Sequence, residues 1–154
     1  MAVSDWLSVL LSGASTSMTA NANRKEGEYE AEALRTNALY AKAQSEDAIS
    51  RGESDSMKAA VKARMMVGSQ RAAMAAQGID ISSGSALDVQ VDTARLSELD
   101  VMTIRNNASR EAWGYQVQST DYLNRAGLAS RAGRNKSRTT LITGGLQTLR
   151  LIPK

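Results

Sequence analysis

The stretch Gln77-Gly78-Ile79-Asp80-Ile81-Ser82-Ser83-Gly84-Ser85 is the clearest break in a sequence that is otherwise rich in helix-forming residues. Gly78 is placed to end a helix in the left-handed conformation, which glycine adopts without steric cost. The sequence Ser85-Ala86-Leu87-Asp88 fits a capping box with Asp in place of Glu, so a second helix is expected to begin there. One long helix on each side of a short break predicts an all-α fold, a long antiparallel helical hairpin.

The break and the composition divide the chain into five predicted segments. These are an apolar N-terminal segment, a long helix, a turn, a second long helix and a basic and apolar tail, at residues 1–15, 16–77, 78–84, 85–134 and 135–154. Gly52 lies inside the first helix, where glycine costs roughly 1 kcal/mol relative to alanine. The first helix is therefore predicted to bend near residue 52.

Both predicted helices carry lines of apolar residues. In the first helix such a line runs through Leu34, Ala38, Ala41, Ala48, Ala59, Ala63, Met66 and Ala73. In the second, a seven-residue repeat runs through Leu87, Ala94, Val101, Ala108, Tyr115, Tyr122 and Ala129, with a companion line at Val91, Ala112 and Ala126 that Glu98 and Arg105 interrupt. A repeat of seven residues is typical of a coiled-coil seam.

The second helix has a further apolar line on another face. It passes through Val89, Leu96, Leu99, Met102, Trp113 and Val117. A helix with two apolar faces needs more than one neighbour, so the hairpin is predicted to pack in an oligomer with itself or with another protein. The predicted interface residues are Leu87, Val91, Ala94, Val101, Ala108, Ala112, Trp113, Tyr115 and Tyr122.

The composition argues against catalysis. The chain has no Cys and no His, which excludes thiolate or imidazole metal sites, disulfides and the commonest nucleophile and base pairs. Acidic pairs such as Glu26/Glu30 and Asp88/Asp92 are typical of a solvated helix face, and Gly144-Gly145 lacks the spacing and the lysine of a phosphate loop. We expect no enzyme, no cofactor and no metal.

Basic residues are concentrated near the C-terminus. From Asp121 onward the chain has one acidic and seven basic residues, although the net charge of the whole is only +3. Such a stretch suits DNA, an anionic membrane surface or an acidic partner, but it also suits a solvated, flexible end. The candidate contacts to DNA phosphates are Arg105, Arg110, Arg125, Arg131, Arg134, Lys136 and Arg138.

Short apolar segments stand near both ends. Neither is long enough to cross a bilayer, which takes about 20 residues, and Asp5 without a preceding basic residue argues against a secretory signal. These segments are expected to dock on protein or to lie at a membrane interface. The candidate residues are Trp6, Leu7, Val9, Leu10, Leu11, Leu141 and Ile142.

Several short runs resemble those of a known family. They are Gly68-Ser69-Gln70-Arg71-Ala72-Ala73, Gly78-Ile79-Asp80, Ser83-Gly84-Ser85, Asp92-Thr93-Ala94 and the stretch from Asp100 to Tyr115. The pattern, over roughly residues 46–134, resembles the internal virion proteins, or virion core proteins, of short-tailed bacteriophages. The resemblance implies a protein packaged inside the capsid near the portal, expelled with or ahead of the genome, that helps to build a conduit across the host envelope.

The expected function is therefore that of a non-enzymatic, oligomeric virion protein that assists DNA ejection. The expected partners are further copies of the chain, other virion proteins such as portal, tail or core proteins, genomic DNA, and the host membrane after ejection. Two alternatives stay open at this point. The chain could be a permanent part of the portal–tail assembly, or a helical module that binds nucleic acid through its basic tail.

Overall fold

Two long helices make up the fold. The computed structural model describes the backbone of residues 3–150 and the side chains of residues 11–147. Helix α1 spans Val3–Ala76 and helix α2 spans Gly84–Arg150, and the two pack against each other as a hairpin. The prediction of an all-α hairpin is confirmed.

The helices extend further toward the chain ends than the sequence patterns indicate. Helix α1 begins at Val3, inside the predicted apolar N-terminal segment, and α2 continues to Arg150, through most of the predicted tail. The one proline of the chain is Pro153, so nothing within these segments removes a helical hydrogen bond or fixes a conflicting backbone angle. Helix α1 also continues without interruption through Gly52.

Gly78 ends α1 as the sequence predicts. Its φ of 73° lies in the left-handed region, where a side chain would be strained. The N–H of Gly78 donates to the carbonyl of Ala75 at 3.0 Å, and the N–H of Ile79 donates to that of Met74 at 3.1 Å. This pair of hydrogen bonds is a Schellman motif, which satisfies two carbonyls that the end of the helix leaves without partners.

Two polar side chains hold the turn. The carboxylate of Asp80 accepts hydrogen bonds from the backbone N–H of Ser82 at 2.9 Å and from the hydroxyls of Ser82 and Ser83. Gln90, which is buried in α2, donates to the carbonyls of Ile81 and Ala86 and accepts from the guanidinium of Arg71 at 2.6 Å. Gln90 therefore ties the turn to both helices.

The hydrogen bonds to Asp80 predict a pH dependence of stability. Hydrogen bonds from Ser82 and Ser83 stabilise the ionised carboxylate and lower the pKa of Asp80 from 3.8 to about 2. Because the folded pKa is the lower one, this stabilisation is complete above the unfolded pKa and is lost as the pH falls toward 2. Asp80→Asn should therefore lower the urea midpoint at pH 6 more than at pH 2. An equal effect at both pH values would contradict the assignment.

The chain forms two compact units, each built from part of α1 and part of α2. We call residues 1–40 with 118–154 the terminal unit, and residues 41–117 the turn unit. In both units the buried or half-buried positions of each helix recur in steps of three or four residues, about 3.6 on average, which is the period of an α-helix. We call the contact between α1 and α2 within a unit the seam.

Small side chains fill the seam of the terminal unit. Ala31, Ala126 and Ala129 form a buried cluster against which Leu34 packs. Gly27 and Gly133 face each other so closely that a Cβ atom on Gly27 would lie 2.8 Å from the Cα of Gly133. Polar contacts continue the seam on either side, because the Asn23 amide donates to the Thr140 hydroxyl and the Ser119 hydroxyl donates to the carbonyl of Ala38.

The seam of the turn unit is equally narrow and more polar. Gly52 lies against Ala108, with no room for a side chain at Gly52. Ser56 is buried and accepts a hydrogen bond from Nε of Arg105 at 3.2 Å. At the edge of the seam the Arg51 guanidinium binds Glu111 of α2 and Asp47 of α1, both at 2.9 Å, and these hydrogen bonds raise the pKa of Arg51.

Small and large side chains occupy the reverse of their usual positions, because the small ones are buried and the large ones are exposed. In the described part of the chain every buried apolar residue is an alanine, whereas twenty-four large apolar side chains are 37% to 74% exposed. Alanine seams bring two helices close together but remove little apolar surface from water per residue. Most of the large apolar side chains among the described residues therefore stay exposed.

Candidate interaction surface

Helix α1 of the turn unit presents an apolar face on the side opposite the seam. Met57, Val61 and Met65 recur with the period of the helix, and each is about half exposed or more. Together with Ser54, Lys58 and Lys62 they line a shallow depression. We call Met57, Val61 and Met65 with the two flanking lysines the α1 face.

Helix α2 of the turn unit carries the larger apolar face. Leu99, Met102, Trp113 and Val117 lie on the side of α2 away from the seam, and Leu96 lies beside the groove between the two helices. All five are 49% to 67% exposed. The sequence predicts this line, and the structure leaves it without a covering element in the turn unit. We call Leu96, Leu99 and Met102, with the acidic residues beside them, the α2 face.

The terminal unit also exposes large apolar side chains on both helices. Leu11, Met18 and Tyr29 lie on the outer side of α1, and Leu128, Ile142 and Leu146 lie on the outer side of α2. Leu11, Met18 and Tyr29 are seven and eleven residues apart, and fourteen residues separate Leu128 from Ile142, so these are scattered exposed apolar residues of the kind that is normal on a soluble protein. Each unit thus has apolar surface available to a neighbour on both helices.

The predicted interface residues fall into two groups. Ala108 and Ala112 are buried in the seam, and Val101, Tyr115 and Tyr122 are half-buried there, whereas Leu87, Val91, Ala94 and Trp113 are exposed. A strict seven-residue repeat drifts by about 20° per heptad on a helix of 3.6 residues per turn. The repeat therefore matches the seam from Val101 onward, while toward the turn the seam lies instead at Ala86, Gln90, Thr93 and Ser97. The same drift leaves Met66 and Ala73 of α1 exposed.

The candidate DNA contacts are divided between the two units and differ in their surroundings. Arg105 donates to Ser56, Arg125 pairs with Asp121 at 2.8 Å, and Lys136 pairs with Glu26 at 3.4 Å. Arg110 is exposed on a different side of α2 from Arg105. The remaining three arginines, at positions 131, 134 and 138, are exposed and share one side of α2 in the terminal unit.

The candidate membrane or docking residues are described only in part. Leu11, Leu141 and Ile142 are exposed. The side chains of Trp6, Leu7, Val9 and Leu10 lie outside the described residues. Within the helical stretches that the structure covers, none has the length and hydropathy needed to cross a membrane.

The sequence patterns did not predict that polar residues would be buried in the seam. Ser45, Ser56 and Gln90 are buried among alanines, and the Oε1 atom of Gln70 is buried without a hydrogen-bond partner. Among residues whose side chains are described, no group of three acidic residues could hold a metal ion.

Comparison with protein families, with characterised proteins and with solved structures finds no match to this chain.

Proposed function

We propose that this chain is a structural virion protein of a short-tailed bacteriophage, located inside the particle near the portal or tail and released with the genome. In this role it acts without catalysis and helps to form the DNA-ejection conduit across the host envelope. One observation carries the proposal: alanine, glycine and serine lie in the seam, while the large apolar side chains face outward.

This inverted arrangement suits a part that assembles with its neighbours. A thin seam leaves the two helices of each unit close together, so a narrow cross-section is compatible with packing inside a portal or tail channel. The outward apolar lines offer side-to-side contacts after release, in the manner of coiled-coil assemblies. The resemblance of residues 46–134 to internal virion proteins supplies the phage setting.

The proposed partners follow from the same surfaces. The outward faces bind other copies of the chain, in coiled-coil fashion, and portal, tail or core proteins in the virion. After ejection the outer apolar residues near both ends, such as Leu11 and Ile142, contact conduit subunits or the host membrane. Genomic DNA passes along the assembly.

Mass spectrometry of virions tests the proposal directly. Particles would be compared before and after DNA release is triggered with purified receptor. We expect the chain in intact particles and its loss from emptied ones, normalised to the major capsid protein. Its retention in emptied particles would favour a permanent portal–tail component, and its absence from intact particles would exclude both roles.

One observation favours a second candidate, a nucleic-acid-binding module. Arg131, Arg134 and Arg138 share one side of α2 without a described ion pair, which suits a row of phosphates. This candidate requires affinity for DNA that falls steeply with salt and disappears when the three arginines are replaced by glutamine.

A further inference from the structure

We infer that the α2 face of one copy docks on the α1 face of the next copy. The copies then lie side by side, and each contact joins two different surfaces. The inference rests on the self-association that the proposed function includes, and it adds which surfaces meet. It is carried by the charges that accompany the two apolar faces of the turn unit.

The two helix segments that carry these faces have opposite net charge. Between Ser56 and Ala76, helix α1 has four basic residues and no acidic residue; the basic residues are Lys58, Lys62, Arg64 and Arg71. Between Gly84 and Met102, helix α2 has four acidic residues and one basic residue, namely Asp88, Asp92, Glu98, Asp100 and Arg95. Opposite charge on two surfaces selects one pairing and disfavours contact between like surfaces.

The basic residues of α1 and the acidic residues of α2 do not neutralise each other through ion pairs within the turn unit. Among the described ion pairs, none joins the basic group of α1 to the acidic group of α2. Lys58 pairs with Asp55 of its own helix, and Arg71 hydrogen-bonds to the neutral Gln90. Lys62 of α1 and Asp92 and Glu98 of α2 are exposed at the edges of their apolar faces. They are therefore available to a neighbouring molecule.

The two faces also lie at the same level of the turn unit. Lys62 and Met66 of α1 and Leu96 and Asp100 of α2 line one groove, so these parts of the two helices are side by side. A neighbour placed beside the first copy without sliding along the helix direction brings Leu96 and Leu99 level with Val61 and Met65. Contacts between two different surfaces close into a ring when copies are related by rotation alone.

Contact between identical faces is the alternative that charge disfavours. Pairing α1 face with α1 face would bring lysines together, and pairing α2 face with α2 face would bring carboxylates together. Like charges beside an apolar contact oppose association, more strongly at low salt. Docking of the α2 face on the α1 face places Met57, Val61 and Met65 against Leu96, Leu99 and Met102 with basic residues next to acidic ones.

Charge reversal tests the contact on the full-length chain. One variant carries Lys58→Glu and Lys62→Glu, a second carries Asp92→Lys and Glu98→Lys, and a third carries all four substitutions. Sedimentation velocity over a range of protein concentrations, at low and at high salt, measures self-association. Lys25→Glu with Lys42→Glu is the matched control, because it changes the net charge equally on exposed lysines of α1 outside the α1 face.

Each two-site variant should self-associate at least about tenfold more weakly than the wild type at low salt, because attraction is replaced by repulsion. The four-site variant should recover, and so should an equimolar mixture of the two-site variants. Recovery also shows that the substitutions themselves permit folding within the assembly. The control should behave like a wild-type chain.

Three outcomes would overturn the contact. If one two-site variant assembles like the wild type, the substituted face is not used. If the four-site variant and the mixture both stay dissociated, the two faces do not meet each other. A wild-type chain that stays monomeric would overturn this contact and the self-association in the proposed function, whereas the other outcomes leave the virion location untouched.

Discussion

Replacing Gly27 by leucine is expected to separate the helices of the terminal unit. A Cβ atom at this position would lie 2.8 Å from the Cα of Gly133 and from the carbonyl oxygen of Ala129, both of which are backbone atoms that cannot rotate away. Forcing a larger side chain into a packed contact typically costs about 1–3 kcal/mol, and a clash with backbone belongs at the upper end. The midpoint of urea unfolding, followed by far-ultraviolet circular dichroism, should fall clearly.

Gly127→Leu is the matched control for this substitution. Gly127 lies in α2 of the same unit, and a Cβ atom there would meet nothing within 4 Å. Removing a glycine from the interior of a helix gains about 1 kcal/mol, so the control should be slightly more stable than the wild type. If Gly27→Leu were as stable as Gly127→Leu, the close approach of α1 and α2 at Gly133 would be wrong.

Making the outer side of α2 polar is expected to abolish self-association. The substitutions are Leu99→Gln, Trp113→Gln and Val117→Thr, at positions that are 49% to 67% exposed and outside the seam. Burying one large apolar side chain contributes about 1.5–3 kcal/mol. Losing three at a shared interface should weaken association by at least about a hundredfold. Sedimentation equilibrium measures this change.

A variant that keeps these positions apolar separates the loss of apolar contact from the effect of substitution itself. Leu99→Met, Trp113→Tyr and Val117→Ile keep these positions apolar, so this chain should assemble nearly as the wild type does. Assembly of the polar variant with wild-type affinity would show that this side of α2 remains in solvent. The hairpin would then have to associate through α1 or through its ends.

Local signals in the sequence predicted the ends of the helices near the turn. The left-handed conformation of Gly78 depends on neighbouring residues alone, and the break around it was recognisable for that reason. Periodicity also indicated the outer apolar line at Leu99 and Trp113, because spacing along one helix is a local property. These features required no knowledge of what lies opposite.

Contacts between residues far apart in the sequence were not predictable in the same way. Gly27 meets Gly133, and Ser56 meets Arg105, only because α1 and α2 pack in one particular register. Alanines occur on several sides of both helices, so composition does not distinguish one register from its neighbours. A seven-residue repeat corresponds to 3.5 residues per turn, which differs only slightly from the 3.6 of a straight helix. The small angular difference accumulates along the helix, so the repeat misplaced the seam near Leu87 and Val91.

The narrow seam links the fold to the proposed role. The hairpin is held by methyl groups, glycines and a few hydroxyls. Ordering each residue costs about 1–2 kcal/mol, and burying an alanine contributes less free energy than burying a larger apolar side chain, so we expect the hairpin alone to have limited stability. Neighbouring copies that cover Met65, Leu99 and Trp113 would supply the missing burial. Folding and assembly are therefore expected to be coupled.

Dilution of the purified chain tests this coupling most directly. Circular dichroism and sedimentation velocity would be recorded on the same samples from high to low protein concentration. Because the alanine seam removes little apolar surface from water, we expect helix content and particle size to fall together. A monomer that keeps its full helix content at the lowest concentration would contradict the account.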